Sequence, residues 1–171
     1  IDALFAEAQQ RRARHGARVQ RKCHRYISKT PVRTLDAPDM LEDYYLNLLD
    51  WSSRNVLAVA LNRAVYLWNA DTQAIQLLCE TPEPDAYVAS VRWNATGDYV
   101  AVGTSDAHVR LYDAARTRLL RTLDGHAARV AALAWHGCLL STGSRDARIV
   151  NHDVRAAQHH VSCYERHSQE V

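Results

Sequence analysis

The sequence is poor in the features that mark secreted, membrane-spanning and metal-binding proteins. It holds four cysteines in 171 residues, with no Cys-x-x-Cys pair and no dense disulfide spacing, so we expect free, mostly buried thiols in a reducing compartment. No apolar run approaches the ~20 residues of a membrane span, and nothing resembles a signal peptide. These absences favour a protein of the nucleus and cytoplasm without a membrane partner.

The motifs that hold phosphates, nucleophiles or zinc are also missing. The sequence contains no GxxxxGK[ST], GxSxG, HExxH or GxGxxG. The residue types of His152, His159 and His160 with Cys163 are those of a metal cluster. However, His159 and His160 are adjacent on a predicted strand and should point to opposite faces. We therefore predict no metal, no cofactor and no catalytic residues, and we expect that the chain is not an enzyme.

Charge divides the chain into a basic arm and an acidic body. Residues 1–35 carry nine lysines and arginines against two acids, whereas residues 36–171 carry twelve against seventeen. Residues 1–16 favour a helix, and the basic run after them is typical of a solvated, disordered linker. A nuclear-import signal or a segment that docks on an acidic partner is the alternative. The arm has almost no interleaved aromatic residues, which argues against nucleic acid as a partner.

Ser28 and Thr30 are candidate phosphorylation sites at the end of the arm. Thr30 is followed by Pro31, and a phosphate there would add negative charge beside the basic run. The alternative is a simple proline turn.

Short apolar runs repeat along the rest of the chain. Trp51, Trp93 and Trp135 are spaced by 42 residues, and each ends a run that is followed by three more. Four short strands in every ~40 residues are typical of a β-propeller blade. We therefore predict an all-β fold with blades over about residues 46–80, 87–123 and 126–164 and the start of a fourth blade at 167–171.

The third repeat carries polar residues at a recognisable spacing. His126 precedes Asp146 by 20 residues, with Thr142 on the strand between them. The pattern resembles WD repeats, in which a His, a Ser or Thr, an Asp and a Trp form a buried hydrogen-bond network inside the blade. His152 stands at the Trp position, so we expect this network to be incomplete. Gly103 and Gly143 end equivalent strands, where a small residue allows close packing.

The segment at 29–70, KTPVRTLDAPDMLEDYYLNLLDWSSRNVLAVALNRAVYLWNA, resembles the Fizzy, or cell division cycle protein 20, family of WD-repeat proteins. The likeness continues through VAVGTSDAHVRLYD and HDVRAAQHHV to HSQEV. It implies a seven-bladed propeller. Residues 35–171 would hold the first three blades and the start of the fourth, and residues 1–34 would form a basic, partly helical or disordered arm.

The resemblance also implies a function. Members of this family are substrate-recognising activator subunits of the anaphase-promoting complex, a ubiquitin ligase. They bind destruction-box and KEN-type degrons and promote the ubiquitination of cell-cycle proteins. Expected partners are subunits of the complex, cyclin- and securin-type substrates, and spindle-checkpoint proteins. The alternative is a divergent, meiosis-specific WD-repeat scaffold that binds no degron.

Candidate degron-binding residues lie in the unrepeated segment LDAPDMLEDYY. A destruction box uses an Arg and a Leu, so its receptor needs an acidic side chain beside an apolar pocket. The resemblance implies that Asp36 binds the Arg of the destruction box. It also implies that the neighbours Leu35, Ala37 and Pro38 form the apolar wall of the pocket. Asp43 is similar to the position that helps to receive the Lys of a KEN motif on the top face of the propeller.

Two aromatic residues follow Asp43 directly. Tyr44 and Tyr45 are assigned to packing, because side chains of this size usually serve burial. The family's docking motif, of the form DRYIPxR, and its terminal Ile-Arg tail do not occur in the 171 residues.

Overall fold

The computed structural model describes residues 27–171. The predicted helix over residues 1–16 and the basic run after it lie outside the described residues. The chain divides into two compact units, residues 1–36 and residues 37–171. In the first unit, residues 27–36 are exposed and form bends and coil. There the hydroxyl of Ser28 donates to the carbonyl oxygen of Thr30 at 2.8 Å.

Three four-stranded antiparallel sheets form the second unit, and residues 27–171 contain no helix. In each sheet, strands that follow one another in sequence are neighbours. The first sheet contains β1 (Leu49–Trp51), β2 (Val56–Leu61), β3 (Ala64–Asn69) and β4 (Ile75–Glu80). The second contains β5 (Val88–Trp93), β6 (Tyr99–Thr104), β7 (Val109–Asp113) and β8 (Arg118–Leu123). The third contains β9 (Val130–His136), β10 (Leu139–Ser144), β11 (Ile149–Asp153) and β12 (His160–Tyr164). The prediction of an all-β fold built from four-stranded blades is confirmed.

The middle sheet is the most buried because it has a neighbour on each face. Nearly every residue of β5, β6 and β7 is buried, whereas the burial of β2 and β11 alternates along the strand. Strands with two covered faces have continuous apolar sequences, and strands with one covered face have sequences in which apolar and polar residues alternate. One apolar core joins the first and second sheets, and another joins the second and third.

The first strands of the three blades pack side by side and are joined by repeated hydrogen bonds. The indole N–H of Trp93 donates to the carbonyl oxygen of Asp50 at 3.2 Å. The indole N–H of Trp135 donates in the same way to the carbonyl oxygen of Arg92 at 3.3 Å. The equivalent spacing of the tryptophans therefore places the same bond at each junction between blades.

The thiols differ from the prediction. Cys79 is half-buried, and burial raises its pKa to about 11 although Tyr112 donates a hydrogen bond to it. Cys138 and Cys163 are exposed, because the first lies in a hairpin turn and the second lies on an outermost strand. The prediction of mostly buried thiols was therefore wrong for these two, and Cys23 lies outside the described residues. The part of the chain that the structure describes also holds no helix that could span a membrane.

Candidate functional site

The four residues of LDAP are divided between the two units of the chain. Leu35 and Asp36 end the first unit, and Ala37 and Pro38 begin the second. All four side chains are exposed. Pro38 lines a cleft of about 330 Å³ on the first blade, together with Asp39, Leu61, Asn62, Arg63, Ala64, Tyr66 and Glu80. The assignment of these residues to degron binding remains a prediction.

Asp43 lies in a tight turn that leads into the first blade. Its carboxylate accepts the backbone N–H of Tyr45 at 3.0 Å and an N–H of the Arg129 guanidinium at 2.7 Å. These two hydrogen bonds, the one from Tyr45 first, lower the pKa of Asp43 below its usual value. The side chain keeps 35% of its exposure, so its carboxylate remains accessible to a ligand.

Arg129 is the centre of a cluster that the sequence interpretation missed. Its Nε and Nη2 donate to the two carboxylate oxygens of Glu170 at 2.6 and 2.9 Å. Its Nη1 also donates to the hydroxyl of Tyr87 at 3.3 Å, and the guanidinium lies 5.7 Å from the ring centre of Tyr45. The hydrogen bonds that Arg129 donates to Glu170 are the main reason that its pKa is raised, so this group is cationic throughout the physiological range.

The two tyrosines after Asp43 have different environments. Tyr44 is 97% exposed and Tyr45 is 50% exposed. Their rings meet edge to face at 5.7 Å between centroids. The assignment to packing was wrong for Tyr44, because the turn at Asp43 directs it into solvent. Only Tyr45 has a ring face covered by Arg129.

A second polar cluster lies inside the third blade. The Nδ1 of His126 is 3.0 Å from Asp146, and its Nε2 is 2.7 Å from the hydroxyl of Thr142. The backbone N–H of Ala127 also donates to Asp146 at 2.9 Å. The three residues singled out by spacing therefore lie in one hydrogen-bonded chain, and its length and burial fit a structural role.

His152 extends this chain, so the expectation of an incomplete network was wrong. Its Nε2 lies 3.1 Å from the Thr142 hydroxyl, and its Nδ1 lies 2.9 Å from the Nδ1 of His159. Imidazole therefore supplies a ring nitrogen where the WD pattern has indole. His160 also packs against His152, at 6.4 Å between ring centres.

The prediction that His159 and His160 point to opposite faces of a strand was also wrong. The pairing of β11 with β12 shifts register between Asn151 and His152, and His159 precedes the strand. Regular alternation therefore does not apply to this pair, and both rings lie beside His152. Within residues 27–171, no group of three or more potential ligands has the geometry to hold a metal ion.

In the second blade Asp106 stands at the turn position of Asp146 but bonds different residues. Arg110 donates to Asp106 at 2.8 Å and to the Thr104 hydroxyl at 2.9 Å, and Thr104 also bonds Asp106. Burial alone would raise the pKa of Asp106, but the hydrogen bonds from Arg110 and Thr104 lower it to about 2. A partly buried ion pair with Arg110 thus takes the place of the bond between His126 and Asp146 in the third blade.

Taken together, four-stranded meanders, a 42-residue period and a buried His–Thr–Asp chain define a WD-repeat propeller protein. A family model described as "Anaphase-promoting complex subunit 4 WD40 domain" matches residues 49–138, more than half of the chain. The chain belongs to this WD40 family, and its sequence identities assign it to the Fizzy, or cell division cycle protein 20, proteins.

Three comparisons support the assignment to the Fizzy proteins. The chain is 53% identical over 151 residues to "Anaphase-promoting complex subunit cdc20" of Dictyostelium discoideum, covering 88% of this chain and 30% of the relative. It is 50% identical over 147 residues to "WD repeat-containing protein slp1" of Schizosaccharomyces pombe, covering 86% and 30%. A chain of the crystal structure of the mitotic checkpoint complex matches with a TM-score of 0.81 and 50% identity, covering 82% of this chain and 44% of that one. The chain thus spans about 30% of the length of these curated relatives.

Proposed function

We propose that this chain is part of a substrate-recognising activator subunit of the anaphase-promoting complex. The supporting observation is its identity of 49–53% to relatives named as a subunit or a cofactor of that complex. In this proposal the protein is an adaptor with no reaction of its own. It binds destruction-box and KEN-type degrons and works with subunits of the complex and with spindle-checkpoint proteins in the nucleus and cytoplasm.

In this proposal each of the two degrons binds at its own site. LDAP receives the destruction box, with Asp36 for its Arg and with Leu35, Ala37 and Pro38 for its Leu. Asp43 receives the Lys of a KEN motif. The exposure of all four LDAP side chains and the partial exposure of Asp43 support the proposal, because a receptor residue must be reachable by a peptide.

Replacement of Asp36 tests the destruction-box site. We expect Asp36→Ala in the full-length protein to weaken the binding of a destruction-box peptide by about tenfold or more, the usual cost of losing a hydrogen bond between charged groups. Fluorescence anisotropy with a labelled peptide measures the dissociation constant. Glu42→Ala is the matched control, since Glu42 is an exposed acid of the same segment, and it should leave the affinity unchanged.

The same titration separates the two functional interpretations. If wild-type protein binds the peptide and Asp36→Ala binds it equally well, the site assignment is wrong. If wild-type protein binds neither this peptide nor a KEN peptide in the same assay, the scaffold interpretation without degron binding replaces this proposal.

A further inference from the structure

The residues around Arg129 occupy equivalent places in successive repeats. Tyr45, Tyr87, Arg129 and Glu170 are spaced by 42, 42 and 41 residues. Tyr87 directly precedes β5 and Arg129 directly precedes β9. Because Tyr87 and Arg129 lead into the first strands of neighbouring blades, which pack side by side, a long side chain at position 129 can reach the equivalent positions on either side of it.

Arg129 makes all of these contacts at once. It reaches forward to Glu170, backward to the Tyr87 hydroxyl and the Tyr45 ring, and across to the carboxylate of Asp43. Its side chain is only 11% exposed, although it is the longest cation available. A guanidinium is suited to this place, because its planar fork offers five N–H donors in fixed directions.

The charges in the cluster do not balance. Two carboxylates share one hydrogen-bonded guanidinium, which leaves these three groups with a net charge of −1, and the exposed Arg145 adds a positive charge at longer range from Asp43. Glu170 is bound by both arms of the fork and is 10% exposed, whereas Asp43 receives one N–H and is 35% exposed. The unbalanced negative charge is therefore accessible at Asp43, and the buried pair of Arg129 and Glu170 fixes the direction of its carboxylate.

We propose that Arg129, held by Glu170, is a positioning residue that fixes Asp43 and Tyr45 for a peptide ammonium group. This inference rests on the proposed degron-binding function and adds a residue to the site that would take a lysine side chain. Arg129 acts through Asp43 and does not touch the ligand. An anionic ligand is disfavoured at this place, because the exposed member of the cluster is a carboxylate.

Arginine at position 129 should not be replaceable by lysine. A lysine ammonium could keep one carboxylate, but it could not bind both oxygens of Glu170 and still donate to Asp43. In Arg129→Lys we therefore expect the turn at Asp43 to lose its restraint while the buried positive charge remains. An unrestrained Asp43 would lose conformational entropy when it binds a ligand, which lowers the affinity.

A double-mutant cycle tests the proposal in the full-length protein. One peptide carries a KEN motif, and the second has norleucine in place of its Lys. We expect Arg129→Lys to raise the dissociation constant of the KEN peptide about tenfold and to leave that of the norleucine peptide unchanged. Arg145→Lys is the matched control, since Arg145 is an exposed neighbouring arginine. Its affinity for both peptides should equal that of the wild type.

A second variant keeps the test valid if Arg129→Lys unfolds. Glu170→Gln keeps the shape of the side chain but weakens the fork and removes the excess charge, so it should also weaken only the lysine-bearing peptide. A destruction-box peptide should bind both variants as it binds the wild type.

Each outcome of these titrations decides a separate question. If the wild type does not bind the KEN peptide, the proposed function fails at this site. If Asp43→Asn weakens binding but neither Arg129→Lys nor Glu170→Gln does, the positioning role is overturned. An equal loss for all three peptides would also overturn it and would show that Arg129 only stabilises the fold.

Discussion

His152 shows at the scale of one residue how imidazole can take the place of indole. One set of tautomers gives each of the four contacts in this chain one donor and one acceptor. The Nδ1–H of His159 donates to His152, and the Nε2–H of His152 donates to Thr142. In this set the single Thr142 hydroxyl proton is directed to His126 and not to the Val150 carbonyl, which lies at 3.2 Å, and the Nδ1–H of His126 donates to Asp146. In this tautomer His152 offers the single N–H that indole would offer. Its second nitrogen, which indole lacks, is satisfied by His159.

This substitution should make the third blade sensitive to acid. Burial first, and then His159, His126, His160 and Arg121, lower the pKa of His152 to about 3. The unfolded value is about 6.5, so the unfolded state binds a proton first as the pH falls. Stability from neutral His152 is therefore complete above about pH 6.5. It should decline toward pH 3 by about 1.4 kcal/mol per pH unit. Denaturant unfolding at pH 7, 5 and 4 measures the slope.

A comparison of variants isolates His152 from the carboxylates that titrate in the same range. His152→Trp keeps a donor to Thr142 and cannot be protonated, so its free energy of unfolding should fall less steeply between pH 7 and pH 4. His136→Gln removes an exposed histidine outside the chain and should retain the wild-type slope. Equal slopes for the wild type and His152→Trp would contradict the prediction.

Contacts within one repeat could be predicted from the sequence, whereas contacts between distant residues could not. The spacing of His126, Thr142 and Asp146 was informative because all three belong to one repeat and its register. Arg129 was not predicted, because its partners Asp43 and Glu170 lie 86 and 41 residues away. No local pattern indicates which of many arginines will meet them. The 42-residue alignment of Tyr45, Tyr87 and Arg129 was a usable signal that pointed to contact between equivalent positions.

At the scale of the strand, the ends of β6 and β10 use equivalent glycines against different neighbours. A Cβ at Gly103 would overlap the Ser90 side chain and the backbone carbonyl of Val130. That carbonyl also accepts the hydroxyl of Ser90 at 2.7 Å. A Cβ at Gly143 would meet the side chains of Val171 at 2.8 Å and Ala132 at 3.1 Å. The first site is confined by backbone, and the second is confined by side chains.

These environments predict different costs for the same substitution. Gly103→Ala should lower the free energy of unfolding by ~1–3 kcal/mol, since overpacking here must move backbone or break the Ser90 bond. Gly143→Ala should cost less, because the Val171 side chain can rotate away. Urea unfolding of both variants measures the difference. An equal or larger cost at Gly143 would show that the junction between blades two and three is looser than the structure indicates.

The strength of a strand's sequence pattern follows from its burial. β5 and β6 are apolar because both faces of their sheet are covered. The outermost strands β4 and β12 have mostly exposed residues, so their sequences are free to vary and their runs are weaker. Register shifts such as that at His152 depend on the packing of neighbouring strands and cannot be derived from alternation alone.

At the scale of the whole molecule, the period of the sequence predicted the fold because each repeat must form the same contacts. The same logic identifies two faces that the described residues leave open. On the first blade, Leu49, Trp51, Ile75 and Leu77 are exposed by 44–69%. On the third blade, an apolar cleft of about 200 Å³ is lined by Ala132, Ala134 and Gly143 among others. Each open face is equivalent to a face that is covered at a junction between two blades.

These faces should bind each other when the 171-residue chain is isolated. Trp93 and Trp135 each donate to a carbonyl on the preceding blade. By the same spacing Trp51 is the equivalent donor of the first blade, and its indole N–H donates to the nearby Asn55 at 3.2 Å. The carbonyl of Ala134 is the next acceptor in the series. We therefore expect concentration-dependent, head-to-tail association in sedimentation velocity, because exposed apolar sheet faces and unlike complementary patches favour such contacts.

Two blocking variants distinguish head-to-tail association from any other kind. Trp51→Arg closes the first face and Ala134→Arg closes the third, so each variant alone should sediment as a monomer of 19.3 kDa. An equimolar mixture still contains one open face of each kind and should form a dimer that does not grow further. A chain with both substitutions should remain monomeric in every mixture. Association of Trp51→Arg with itself, or a mixture that stays monomeric, would show that the junction between blades is not reproduced between chains.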